Sequence, residues 1–152
     1  TCVAEELPAA DLLVMAAAPA DFAPVSPADR KLERQAGELT LALGPTGDIL
    51  SGTRHLRKPG MVAVGFALET GNAMARAEEK LVRKGLDLIV VNDALEPGAG
   101  FEVETNRVTI IDRTGRRLEV PPQSKTAVAD AILDVVEGVL GGRTATVSRD
   151  SA

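Results

Sequence analysis

Three stretches of the chain are apolar without interruption: DLLVMAA (11–17), MVAVGFA (61–67) and LDLIVVN (86–92). A strand covered on one face alternates, whereas one covered on both faces reads as a continuous apolar run. The three are therefore predicted to be buried parallel strands. Between the last two lies GNAMARAEEKLVRKG (71–85), in which Met74, Ala77 and Leu81 fall at i, i+3 and i+7 and Gly85 follows a basic last turn. That pattern predicts an amphipathic helix with a C-terminal stop, completing a right-handed βαβ unit. RVTIIDRTGRRLEV (107–120) predicts an antiparallel hairpin turning near Thr114–Gly115. SKTAVADAILDVVEGVLGG (124–142) predicts a closing helix, N-capped by Ser124, with Val128, Ile132, Val135, Val136 and Leu140 as its apolar stripe. The polar RTATVSRDSA (143–152) is expected to be a loose tail.

The order of elements is that of a single α/β domain over 1–142, a mostly parallel sheet flanked by helices and closed by a β-hairpin plus helix. The segment 23–60 breaks the pattern with prolines, mixed charge and one short strand candidate, ELTLAL (38–43). Part of it, about 23–46, is expected to form a flap, either a lid over a site or a plain surface excursion. GDILSGTRHLRK (47–58) predicts a short helix with Asp48 near its start.

Ligands in open parallel sheets bind beyond the carboxyl ends of the strands. Here the first strand exits through Ala16-Ala17-Ala18-Pro19-Ala20-Asp21, the second through Gly65-Phe66-Ala67-Leu68-Glu69-Thr70, and the third through Asn92-Asp93, with Gly98 and Gly100 just after. Small residues let a ligand approach the backbone, and a polar group at each rim gives specificity. Lys80 and Lys84 share one helix face. Spacing alone reads them as complements to the helix dipole, and Lys31 as a solvated flap residue.

Composition narrows the function. The net charge is −5, with three phenylalanines, Phe22, Phe66 and Phe101, and no Trp or Tyr, so neither a broad nucleic-acid surface nor a base-stacking platform is expected. The one cysteine, Cys2, forms no intrachain disulfide and suits a reducing, cytoplasmic setting. No apolar run reaches the roughly 18–20 residues that span a bilayer, and no signal peptide is visible, so no membrane partner is expected. The chain has no G-x-x-x-x-G-K-[ST], no G-x-G-x-x-G and no Cys/His metal cluster, and His55 sits among basic residues without triad partners.

The motifs MAAAPADF, RKLERQAGELTLAL, GDIL, VGFALET, KLVRKGLDLIVVND and GAGFEVETNRVTIID follow one another in this order. That succession, covering roughly residues 11–140, resembles the phosphopantothenoylcysteine synthetase (phosphopantothenate–cysteine ligase) family, in many bacteria the C-terminal half of a bifunctional coenzyme A biosynthesis protein. The resemblance implies a Rossmann-like fold and a ligase that joins 4′-phosphopantothenate to cysteine. It implies CTP as co-substrate with Mg²⁺: the carboxylate attacks the α-phosphorus to give an acyl-cytidylate and pyrophosphate, and the cysteine amine displaces CMP. Carried over by motif, nucleotide contacts fall on Met15, Ala16, Ala17 and Asp21, on Gly47, Asp48, Ile49 and Leu50, and on Phe66. Lys80 and Lys84 are assigned to the triphosphate, and Lys31 is the flap lysine with a catalytic part. A homodimer with flap contacts is implied as well.

Two positions depart from the family pattern. The flap reads Lys31-Leu32-Glu33-Arg34 where K-x-K-K is usual, and Gly47 stands where the PDI motif has proline. The chain opens on Thr1, which reads as a fragment or a processed piece. The family's upstream glycine-rich and asparagine segments, which help bind phosphopantothenate, have no counterpart before residue 11, so nucleotide binding is expected to survive better than full ligation. The alternatives are a Rossmann-type oxidoreductase, disfavoured by the missing glycine fingerprint, and a non-catalytic nucleotide-binding or dimerisation module.

Overall fold

A computed structural model of the chain describes residues 2–32, 38–69, 72–93 and 105–147. The chain starts with a short helix α1 (Cys2–Glu6) and a 3-10 turn (Leu7–Ala9), then runs through β1 (Leu12–Met15), β2 (Phe22–Pro24) and β3 (Leu43–Pro45). A one-turn helix α2 (Ile49–Gly52) and a 3-10 turn (Arg54–Leu56) lead to β4 (Val62–Glu69), α3 (Ala73–Arg83) and β5 (Leu88–Asp93). The hairpin β6 (Thr105–Asp112) and β7 (Arg117–Ser124) precedes the closing helix α4 (Lys125–Val147). Five strands form one sheet in the order β1-β4-β5-β6-β7. The first two pairings are parallel and the last two antiparallel. The expected α/β class, with helices on both faces, is what the chain adopts.

The continuous apolar runs have a direct explanation in the core. Along β4 and β5, Ala63, Ala67, Ile89 and Val91 face α3 through Ala73, Ala77 and Leu81. Their neighbours Val62, Val64, Leu88 and Val90 face α4 through Val128, Ile132 and Val136. Two covered faces demand apolar side chains at consecutive positions. The 11–17 run was expected to be buried in the same way, but β1 is only half covered, with Val14 41% exposed. The reason is its place at the sheet's margin: α3 packs on β4 and β5, and α4 on β4, β6 and β7.

Local signals set the element ends. Gly85 takes φ +58°, and the Leu86 amide bonds back to the Leu81 carbonyl at 2.9 Å, which closes α3 as the sequence predicts. Asp87 follows, 5% exposed, with its carboxylate accepting the Ala63 amide at 2.8 Å and so registering β5 against β4. The Ser124 hydroxyl accepts the Ala127 amide at 3.2 Å, the expected cap of α4.

Two expectations need correction. The strand candidate at 38–43 lies instead at Leu43–Pro45, because the partner strand Phe22–Pro24 opposes only those residues. The helix expected to stop at 142 continues to Val147, which removes half of the loose tail. Gly141 and Gly142 do not take the left-handed conformation by which a glycine stops a helix, and α4 runs on through them. Glu33, Gly98, Gly100, Phe101 and residues 148–152 lie outside the described residues.

Candidate functional site

The carboxyl ends of β1 and β4 lie side by side, since Met15 pairs with Gly65 in the parallel register. The base of the β2–β3 ribbon returns to the β1 exit. There the Thr46 hydroxyl donates to the Ala20 carbonyl at 2.5 Å and the Thr46 amide to the Asp21 carbonyl at 2.9 Å. Thr46 leads straight into Gly47, Asp48 and α2, so this anchor brings the α2 turn beside the strand ends. Between them opens a cleft of about 540 Å³. Met15, Ala17 and Asp21 line it from the β1 exit, and Gly47, Asp48, Ile49 and Leu50 from the α2 turn. Phe66 lines it from β4, Lys80 from α3 and Lys84 from the residue just past its end.

The cleft thus gathers every site residue expected from the sequence except two. Ala16 lies exposed between Met15 and Ala17, Lys31 lies on an exposed stretch of the flap, and neither lines the cleft. Gly65, named at the second strand's exit, lines the cleft as well, and so do Thr46 and Arg83, which the sequence reading did not place there. Arg83 was within reach of sequence reasoning, because it stands three residues after Lys80 and shares its face. Thr46 acts through tertiary contacts, and no local pattern announces it. A side chain at Gly65 would put its Cβ 2.5 Å from Leu86 Cδ1, so glycine keeps β4 close to the chain entering β5.

Two cross-links tie the α2 turn to the end of α3. Lys84 Nζ lies 3.2 Å from Asp48 Oδ1, with the lysine side chain 17% exposed. The Arg57 guanidinium donates from Nη1 to the Gly85 carbonyl at 2.6 Å and from Nη2 to the Leu50 carbonyl at 2.8 Å. Its Nε is buried without a partner. Burial lowers the Arg57 pKa; Asp87 opposes that, and the Arg54 and Arg113 guanidiniums add to it.

Asp48 also caps α2, accepting the Ser51 amide at 3.2 Å and the Ser51 hydroxyl at 2.8 Å. Burial alone would raise its pKa, but the bonds from Ser51 and Lys84 outweigh burial and hold the carboxyl below its ordinary value. A depressed pKa adds stability above the unfolded value, and that stability is lost as pH falls through the folded value. Asp48→Asn is therefore expected to unfold more readily than the parent at pH 7. In urea titrations the gap should narrow as the pH drops below about 3.8. A gap that is constant down to pH 2 would contradict this role.

Among the described residues no three His, Cys, Asp or Glu side chains cluster as a metal site, and no helix is long and apolar enough to cross a membrane.

The family model for the DNA/pantothenate metabolism flavoprotein C-terminal domain matches residues 1–139. The chain belongs to that family. A coenzyme A biosynthesis bifunctional protein CoaBC of Bacillus subtilis is 42% identical over 128 residues, covering 84% of this chain and 31% of that protein. A cysteine/cysteine sulfinic acid decarboxylase of an unknown prokaryotic organism is 43% identical over 123 residues, covering 81% of this chain and 34% of that protein. The crystal structure of the C-terminal domain of a CoaBC protein superposes with a TM-score of 0.72 at 28% identity, covering 93% of this chain and 60% of that one. The chain spans about a third of the length of the curated relatives it matches. The resemblance drawn from motif order and the fold it implied agree with these matches.

Proposed function

We propose that this chain is the nucleotide-binding part of a ligase that joins 4′-phosphopantothenate to cysteine. In this reading CTP binds in the cleft, and the phosphopantothenate carboxylate attacks the α-phosphorus, forming an acyl-cytidylate and releasing pyrophosphate. The cysteine amine then attacks the acyl carbon, an amide forms, and CMP leaves with the bonding electron pair. The observation that carries the proposal is the convergence in one cleft of three motif segments distant in sequence, with basic residues of α3 at its edge. The coenzyme A biosynthesis name of the Bacillus relative supports the same reading.

The chemistry asks the protein mainly to position and to neutralise charge. Small residues at Ala17 and Gly47 admit the nucleotide to the backbone, Phe66 meets its base or sugar, Asp21 supplies a polar contact, and Lys80 faces the phosphates. Lys31, carried on the flap, is assigned to charge developing at the α-phosphate. Mg²⁺ enters on the triphosphate as part of the substrate. The donor set suits that role: of the two carboxylates that line the cleft, Asp48 is engaged by Ser51 and Lys84 and Asp21 is assigned to the nucleotide, so the metal's ligands are the phosphates and water. The flap exposes Phe22, Val25, Leu39, Leu41 and Leu43, an apolar surface on a two-stranded ribbon that is marginal alone, and we assign it to homodimer contacts.

The test is turnover by the full-length protein. Pyrophosphate release is expected to require CTP and phosphopantothenate, and CMP release to require cysteine as well. Binding of NADH in place of CTP would support the oxidoreductase instead, and binding of no nucleotide would support a structural module.

A further inference from the structure

A second cavity, of about 450 Å³, shares no lining residue with the cleft. It lies beside Met61 and Asp87, the residues just before β4 and β5, and so at the amino ends of those strands. Four cations line it: Arg54, Arg57, Lys58 and Arg113. Three of them converge on Gly85. Arg57 Nη1 and Arg113 Nη2 donate to its carbonyl at 2.6 and 3.1 Å. The Arg54 side chain crosses its other side, with Nε 2.5 Å from where a Cβ would stand. Burial lowers the Arg57 pKa, and repulsion from the Arg54 and Arg113 charges lowers it further.

The negative charge at hand does not balance this cluster. Asp87, 5% exposed, pairs with Arg113 at 3.2 Å, and Asp11 pairs with Lys58 at 2.8 Å. The carboxyl pole of α3 adds about half a negative charge, so the four cations keep an excess of about one and a half. Donors are left over as well. Arg54 is exposed and has no hydrogen-bond or ion-pair partner among the described residues. Arg113 engages Leu86, Gly85 and Asp87 through Nε and Nη2 alone, which leaves Nη1 free on a side chain 54% exposed.

We infer that this cavity is a binding site for a phosphate group, free or carried by a small phosphomonoester, with Arg54 and Arg113 as its donors and Lys58 at its edge. A guanidinium fork donates to two oxygens of one phosphate, and a phosphate dianion matches the local excess of charge. The volume suits a small ligand. The inference stands apart from the nucleotide reading of the cleft, whose lysines take no part in it.

Calorimetry on the full-length protein tests it, with inorganic phosphate and glycerol 3-phosphate as probes and sodium chloride at matched ionic strength as the control. Arg54→Met keeps an unbranched apolar stem over Gly85 and removes the charge. It is expected to weaken the phosphate probes by about tenfold to a hundredfold, and Arg54→Lys to recover part of the loss. Without phosphate, Arg54→Met should melt no lower than the parent, because one repelling charge has gone, so the lost binding is not lost folding. Lys80→Ala, in the cleft, should leave this binding unchanged. Tighter binding of glycerol 3-phosphate would assign the site to esterified phosphate, and tighter binding of inorganic phosphate to the free ion. Phosphate binding that Arg54→Met leaves intact, that chloride reproduces, or that Lys80→Ala abolishes instead would overturn the inference.

Discussion

Arg57→Ala is expected to lower stability by about 3 kcal/mol and to weaken nucleotide binding by more than tenfold. The Arg57 side chain lines no part of the cleft, and its effect comes from what it joins. One guanidinium bridges the Leu50 carbonyl in α2 to the Lys84 and Gly85 carbonyls at the end of α3. Alanine would remove the donor to the Leu50 and Lys84 carbonyls, each worth roughly 1 kcal/mol or more when water cannot fully replace it, and the short bond to the Gly85 carbonyl, which would keep only its 3.1 Å bond from Arg113. It would also free the turn carrying Asp48, Ile49 and Leu50 to drift from α3. Arg57→Lys should rescue little, because a single ammonium cannot span two chain segments as a planar fork does. Urea denaturation and a CTP titration read the two effects. A variant within 0.5 kcal/mol of the parent, the scatter of ordinary surface substitutions, would show that the clamp is dispensable.

Gly65→Val is expected to cost about 3 kcal/mol and to narrow the cleft. The Cβ alone would lie 2.5 Å from Leu86 Cδ1, and Leu86 is 1% exposed, so the leucine has little room to retreat. The strain falls where β4 lies against the entry to β5, beneath the proposed nucleotide. Pairing the change with Leu86→Ala should restore part of the loss, since the clash disappears although a cavity follows. Thermal unfolding of the two single variants and the double variant measures that coupling. Strict additivity would mean that the close contact does not govern the position.

Much of this architecture is legible in residue order. The runs at 61–67 and 86–92 disclose doubly covered strands, and Gly85 and Ser124 mark helix ends that the structure keeps. The run at 11–17 looks the same but forms a margin strand, because a sequence pattern reports side-chain character and not what covers it. The β2–β3 ribbon escaped because its register depends on a partner some twenty residues away, with proline in both strands. The site divides in the same way. Residues in contiguous motifs, such as Gly47–Leu50, and the strand-exit Gly65 were readable, whereas the part of Thr46 and the close contact of Gly65 depend on Ala20 and Leu86, which only the fold brings near. Lys84 lines the cleft where motif order expects it, and only the fold shows that Asp48 holds it there.

The most direct test is a crystal structure of the full-length protein grown with CTP and Mg²⁺. The nucleotide is expected in the cleft beside Ala17, Gly47 and Phe66, with its phosphates within hydrogen-bond distance of Lys80. Nucleotide seated elsewhere, for example against the guanidiniums of Arg54 and Arg113, with the cleft holding only solvent, would contradict the assignment of this cleft.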